Sequence, residues 1–201
     1  MFDGPLHRIN GADVESVIQN RVPESQTLEY KQELPKPESE ASKFSFLADV
    51  ASLANSRGGT ILFGVSGARE GTNSTGMPDR IVGLGTSFVA DVEQRRLLQL
   101  IDAHIDPRIN GIEFKAIQDI ENGPILILRV PASWTAPHMI TLSDRNVFYG
   151  RKFASNTRLD VREIGDMFVR SQSVLEKADS FVDVRLHELP VRNDASILAR
   201  R

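Results

Sequence analysis

Glu24, Glu29, Lys31 and Glu33 crowd the segment PESQTLEYKQELP, residues 23–35. Two carboxylates held beside one strand can share a proton or bind a divalent cation through hard oxygen ligands, and a bound metal can activate water and stabilise a phosphoryl transition state. Glu24 and Glu29 lie five positions apart, a spacing that sends side chains to opposite faces of a regular strand. They converge only if Pro23–Ser25 bends into the strand, and proline and serine both favour a turn there. The other reading makes Glu29 and Lys31 a solvated strand face and Glu24 a loop charge; spacing alone favours that one.

A second group lies late in the chain. Tyr149, Arg151, Lys152, Ser155, Asn156, Arg158 and Arg162 form the densest basic and hydrogen-bonding cluster. Arg and Lys suit phosphates, Ser and Asn add polar contacts, and Tyr149 or Phe153 could stack on a base. An ordinary strand-to-helix loop with surface charge fits the same residues equally well. Gly58-Gly59, before an apolar strand, could offer backbone N–H groups to a phosphate, although a tight helix-to-strand turn needs the same glycines. No P-loop and no dinucleotide fingerprint is present. His7, His104, His138 and His187 are not at metal-ligand spacing from one another.

The chain has 201 residues, 40% hydrophobic and 25% charged, enough for one self-sufficient core. It has no cysteine, which excludes disulfides, thiolate metal sites and cysteine nucleophiles. The net charge of −3 weighs against nucleic-acid binding by bulk charge but permits a local basic face. Without an apolar signal-like start or a run of membrane-spanning length, a cytoplasmic protein with no membrane partner is expected.

The elements that must position these residues read as α+β, a mixed and mostly antiparallel sheet covered by helices. A helix is expected over residues 11–20, capped by Asn10, and a half-buried strand over 27–31 with Leu28 and Tyr30 on one face. A helix capped by Ser39 or Ser42 runs to about Asn55, apolar over much of its surface, and a buried strand follows over 60–66. Residues 67–79 read as a mobile loop and 81–84 as a short strand, before a helix over 87–105. Hairpins are expected over 111–131 and 138–150. Trp134, in the loop 131–137, is expected to plug the core. A helix over 159–170, capped near Asp160, precedes a separate amphipathic helix over 174–189. That helix and the tail after it, residues 171–201, make an appendage to a domain spanning 12–170 and a candidate surface for a homodimer or protein partner.

ESQTLEYK, FLADVASLANSRGGTILFGV, RIVGL and FYGRKFASNTRL, in that order, resemble the motifs of the Schlafen-type AlbA-like domain. Those motifs are E-S-x-x-x-E-[FY]-K, A-x-A-N-x-x-G-G-x-[IL]-x-[IFV]-G-V, I-V-G-L and Y-x-R-x-G-S-x-N. The resemblance implies an α+β domain associated with nucleic acid, RNA slightly before DNA. Some members are metal-dependent endoribonucleases that cut tRNA or rRNA with three carboxylates. Glu24 and Glu29 match the first two and would hold Mg²⁺ or Mn²⁺. The third acid follows the Gly-Val of the strand, where this chain has Ser66 and Gly67. Glu70 or Asp79 would have to replace it. Lys31, Gly58, Gly59, Tyr149, Arg151, Lys152, Asn156 and Arg158 are the candidate nucleic-acid contacts, with Phe153 and Ala154 standing where the late motif has Gly-Ser. Nucleic-acid binding is therefore expected ahead of catalysis.

Overall fold

The computed structural model describes residues 4–188. A short 3₁₀ turn at Leu6–Arg8 leads into α1 (Gly11–Gln19). Asn10 caps α1 as expected, its side chain accepting from Ala12 and Asp13 while Asp13 returns a bond to the Asn10 backbone, a reciprocal box that satisfies orphan amides. After β1 (Leu28–Lys31), Ser39 caps α2 (Glu40–Ala54), and β2 (Gly58–Phe63) follows. β3 (Val65–Glu70) and β4 (Asn73–Ile81) form a hairpin of their own. Then come α3 (Ala90–His104), β5 (Ile105–Asp106), β6 (Glu113–Ile117), β7 (Ile125–Pro131) and β8 (Met139–Ile140). β9 (Val147–Lys152), β10 (Ser155–Arg158) and α4 (Val161–Glu188) complete the order.

The main sheet runs β1-β2-β7-β6 and a second runs β10-β9-β8-β5. Only β1 and β2 are parallel among these pairs, and α2 makes the crossover between them, as a parallel connection requires. The sheet is thus mixed and mostly antiparallel, as the sequence implied. Strands β2 and β7 are buried on both faces. Ile61, Phe63, Leu126 and Leu128 enter one core with α2 and Leu97 and Ile101 of α3. Leu62, Ile125 and Ile127 enter another with Val14, Val17, Leu28 and Tyr30. That alternation is the period of two that a strand imposes.

Five expectations change. The strand expected over 60–66 breaks at Gly64, between β2 and β3, and of the strand expected over 81–84 only Ile81, the end of β4, is in a strand. Residues 67–79 are the β3–β4 hairpin rather than a loop; its two strands are polar because most of the hairpin faces solvent. Trp134 is 73% exposed and plugs nothing. The helices expected over 159–170 and 174–189 are one continuous α4, running through the boundary drawn at residue 170. Ser171 and Ser173, which look like a break, donate their hydroxyls to the carbonyls of Phe168 and Arg170, so both are accommodated inside the helix. The α4 face expected to carry Leu175, Ala178, Val182, Leu186 and Leu189, together with the tail beyond it, lies outside the described side chains.

Gly59 joins β1, β2 and α2 at their tightest point. A Cβ there would lie 2.6 Å from the Thr27 carbonyl oxygen and 2.7 Å from Leu53 Cδ2. Gly59→Ala is expected to cost about 1–3 kcal/mol through overpacking, read as a lower urea midpoint; an unchanged midpoint would show that β1 and α2 can move apart freely.

Candidate functional site

The site begins with the bend before β1. The Ser25 amide donates to the Leu28 carbonyl and the Glu24 amide to the Gly76 carbonyl, so Pro23–Ser25 folds back as the convergence of the two acids requires. Glu24 Oε1 then accepts from the Tyr30 amide at 3.3 Å. Glu29, on the next turn of the strand pleat, is 7% exposed. It is not a solvated face.

Two cations meet Glu29. Lys31 Nζ lies 2.8 Å from Oε1 and 2.9 Å from Asp49 Oδ2. Arg151 Nη2 lies 2.5 Å from Oε2. Arg151 itself has no side-chain exposure. Its Nε donates to the Ser25 carbonyl at 2.9 Å, Nη2 also to the Leu28 carbonyl at 3.2 Å, and Nη1 to Asn156 Oδ1 at 3.2 Å. Asn156 Nδ2 donates to Asp49 Oδ1 at 2.7 Å, and Ser52 Oγ donates to Asn156 Oδ1 at 2.6 Å. A buried guanidinium keeps its charge only when its forked donors are matched in this way.

The electrostatics follow. Burial raises the Asp49 carboxyl against the pull of Lys31, with the Glu29 charge adding to the rise. Burial opposes the Lys31 charge, yet Asp49 and Glu29 outweigh it and hold the ammonium above its usual range. Burial also raises Glu24, reinforced by the charge of Glu29 and offset only in part by the Tyr30 amide, Lys31 and Arg151. Tyr30 donates its hydroxyl to the Val22 carbonyl at 2.8 Å, and burial and then Glu24 push its phenol upward.

These carboxylates do not fit a catalytic metal. Both oxygens of Glu29 and both of Asp49 are engaged by Lys31, Arg151 and Asn156, leaving only Glu24 Oε2 of these three acids outside the described hydrogen bonds and ion pairs. The third acid is not replaced. Ser66 Oγ, paired with β4, donates to the Arg80 carbonyl and to Asp79 Oδ2 at 3.4 Å, and Asp79 faces Arg80. Glu70 is exposed at the end of β3. Among the described residues no three acids or histidines converge on a metal position.

The late cluster is split three ways. Arg151 and Asn156, expected as nucleic-acid contacts, point inward to Glu29 and Asp49, and Lys31 is likewise tied to Glu29 and Asp49. Lys152 projects from the opposite face of the hairpin, 2.7 Å from Glu163, the residue that boxes Asp160 at the start of α4. Tyr149 and exposed Arg158 are cross-strand partners whose side chains meet at 3.4 Å. Phe153 holds the left-handed conformation that glycine favours, at φ 56°, and is 86% exposed. Gly58 and Gly59 belong to β2 and line an open groove of about 390 Å³ with Arg57 and Arg129. Gly58, at φ 71°, has no room for a Cβ, which would lie 2.5 Å from the Ala132 amide nitrogen. Asp49 and Ser52 were not read from the sequence. Their signal was an aspartate in the middle of a helix whose neighbours on both sides are apolar.

Removing Arg151 leaves Glu29 Oε2 buried without its partner, with Lys31 on Oε1 as the remaining cation. Arg151→Ala is expected to destabilise the fold by about 3–5 kcal/mol by chemical denaturation, and Arg151→Lys to recover little of it, because a point charge cannot satisfy the fork; a loss under about 1 kcal/mol would sink the claim that this pair is structural. Glu24 gives a signed pH test. Its folded pKa is raised above the ordinary 4.5, so the folded state holds the proton more tightly, and stability is lost as pH rises through that raised value. Glu24→Gln keeps the acceptor for Tyr30 and removes the charge. It should be more stable than the parent at pH 7, with the advantage fading toward pH 4.5; a difference independent of pH would refute the shift.

Comparison with known proteins places this arrangement. No curated protein matches the chain. Among solved structures, the N-terminal domain of an ATP-dependent DNA helicase RecG-related protein from Nitrosomonas europaea is similar, at 19% identity and a TM-score of 0.50. The match covers 76% of this chain and 94% of that one, and at that identity the likeness concerns the fold alone. The family model Schlafen, AlbA_2 matches residues 24–160, from the first acid of the bend to the capping residue of α4. The chain therefore belongs to the Schlafen AlbA_2 family.

Proposed function

We propose that this protein binds nucleic acid, with RNA preferred, through the β9–β10 hairpin and its flank rather than cutting it at the carboxylates. The observation that carries this reading is the division of the hairpin's cations. Arg151 is consumed by Glu29 inside the fold, whereas Lys152 and Arg158 are exposed. Arg158 has no acidic partner among the described ion pairs and sits beside a tyrosine hydroxyl, a phosphate-contacting combination. Lys152 has Glu163 as its partner on the open surface, and an exposed pair of this kind is worth little and exchanges readily for a phosphate. The carboxylates support binding over cleavage in the other direction: both oxygens of Glu29 are held by Lys31 and Arg151, so Glu24 has no free acid beside it with which to share a metal.

Fluorescence anisotropy with labelled tRNA tests the reading. Binding should weaken steeply between low and physiological salt, because each phosphate contact releases counterions. Lys152→Ala combined with Arg158→Ala should weaken it roughly tenfold or more and flatten the salt slope by about two contacts. The tRNA should remain intact with Mn²⁺ present. No binding at low salt, or cleavage abolished by Glu24→Ala, would overturn the proposal.

A further inference from the structure

A row of two rings flanked by two cations crosses the surface where α2 meets β9. The Arg145 guanidinium lies over the Phe44 ring, 5.1 Å from its centroid. Phe44 meets Tyr149 edge-on, with centroids 6.1 Å apart and planes at 74°. The Tyr149 hydroxyl in turn receives Arg158 Nε at 3.4 Å. Phe44 is on α2, Tyr149 on β9 and Arg158 on β10, while Arg145 belongs to the connection between β8 and β9. Two remote stretches of chain, α2 and residues 145–158, thus supply one cluster.

The row is built rather than incidental. Phe44 and Tyr149 are half-buried and anchored on the main core, which fixes the ring planes. Arg145 follows a tight turn in which Ser143 and Asp144 both hold left-handed backbone, at φ 54° and 58°, and its amide donates to the Leu142 carbonyl at 3.1 Å. That conformation is disfavoured for non-glycine residues and aims the arginine at Phe44. Arg145 and Arg158 are both exposed, and neither has an acidic partner among the described ion pairs.

We infer that the Arg145–Phe44–Tyr149–Arg158 row is a binding site for single-stranded nucleic acid. This inference rests on the nucleic-acid reading above and names its substrate class. A guanidinium held over a ring at the surface keeps its outer side open to solvent, and nucleobases stack on arginine planes as they do on aromatic side chains. Only unpaired bases have a face to give, since those of a duplex are stacked on each other. Arg158, at the other end, is left to take the backbone phosphate. Base stacking is tolerant of sequence, so the row selects for strandedness rather than for a particular base.

The test compares labelled oligouridine and oligothymidine, roughly 12 nucleotides long to suit single-strand site sizes, with duplexes of equal length. The parent protein should bind the single strands more tightly. Arg145→Ala and Phe44→Leu should each weaken single-strand binding roughly tenfold, the loss expected for one stacked base, and leave duplex binding unchanged. Arg145 is a surface residue, so its variant folds whether or not Phe44→Leu does. Duplex binding equal to or tighter than single-strand binding, indifferent to Arg145→Ala, would overturn this inference and leave the broader reading standing. Binding to neither would overturn both.

Discussion

The contact between Arg151 and Glu29 is the constraint on which the rest of the arrangement depends. Moving both charges out of water is costly, and their mutual attraction repays that cost only when every remaining donor and acceptor is matched. Here the matching partners come from separate parts of the chain: Ser25 and Leu28 from the bend and β1, Asn156 from β10, then Asp49 and Ser52 from α2 through Asn156. The Arg151 amide adds a bond to Ser56 Oγ at the end of α2. Two sheets and a helix are thereby held in one relative placement that apolar packing alone would leave free to slide.

The same constraint accounts for the division of labour around the hairpin. Residues at paired positions of β9 and β10 that face α2 alternate between structure and surface along the strand: Arg151 with Asn156 inside, Tyr149 with Arg158 at the rim. Because the inner pair is fixed, the outer pair has a defined position too. Glu24 stands apart. Its carboxyl is held in a place that burial disfavours, a local cost of the kind that folds retain where a residue serves more than stability.

Much of this was legible in the sequence. Asn10, the pair Ser39 and Ser42, and Asp160 announced three helix starts because capping chemistry is local, and Ser39 proved to be the cap of α2. The alternation of Leu28 and Tyr30 with Glu29 and Lys31 gave the faces of β1 correctly. What was not legible was long-range. Nothing local distinguishes an arginine that points into the protein from its neighbour Lys152 that points out, and the fate of Arg151 was decided by Glu29, far away in the chain. Phe44 read as one more apolar position in a helix, and Arg145 as one polar residue of a turn; their contact exists only after α2 and β9 have packed. The β3–β4 hairpin was missed because a strand exposed on both faces carries no hydrophobic alternation.

The bend before β1 has a consequence for how the protein behaves among its own copies. β1 is an outer strand of the main sheet, and a bare outer strand is a template onto which another chain can add. Here two of its outward groups are already taken: the Leu28 carbonyl by Ser25 and Arg151, the Tyr30 amide by Glu24. Glu24, one of the acids that first suggested chemistry, therefore also blunts the sheet margin. A strand adding along β1 would have to displace both of these contacts.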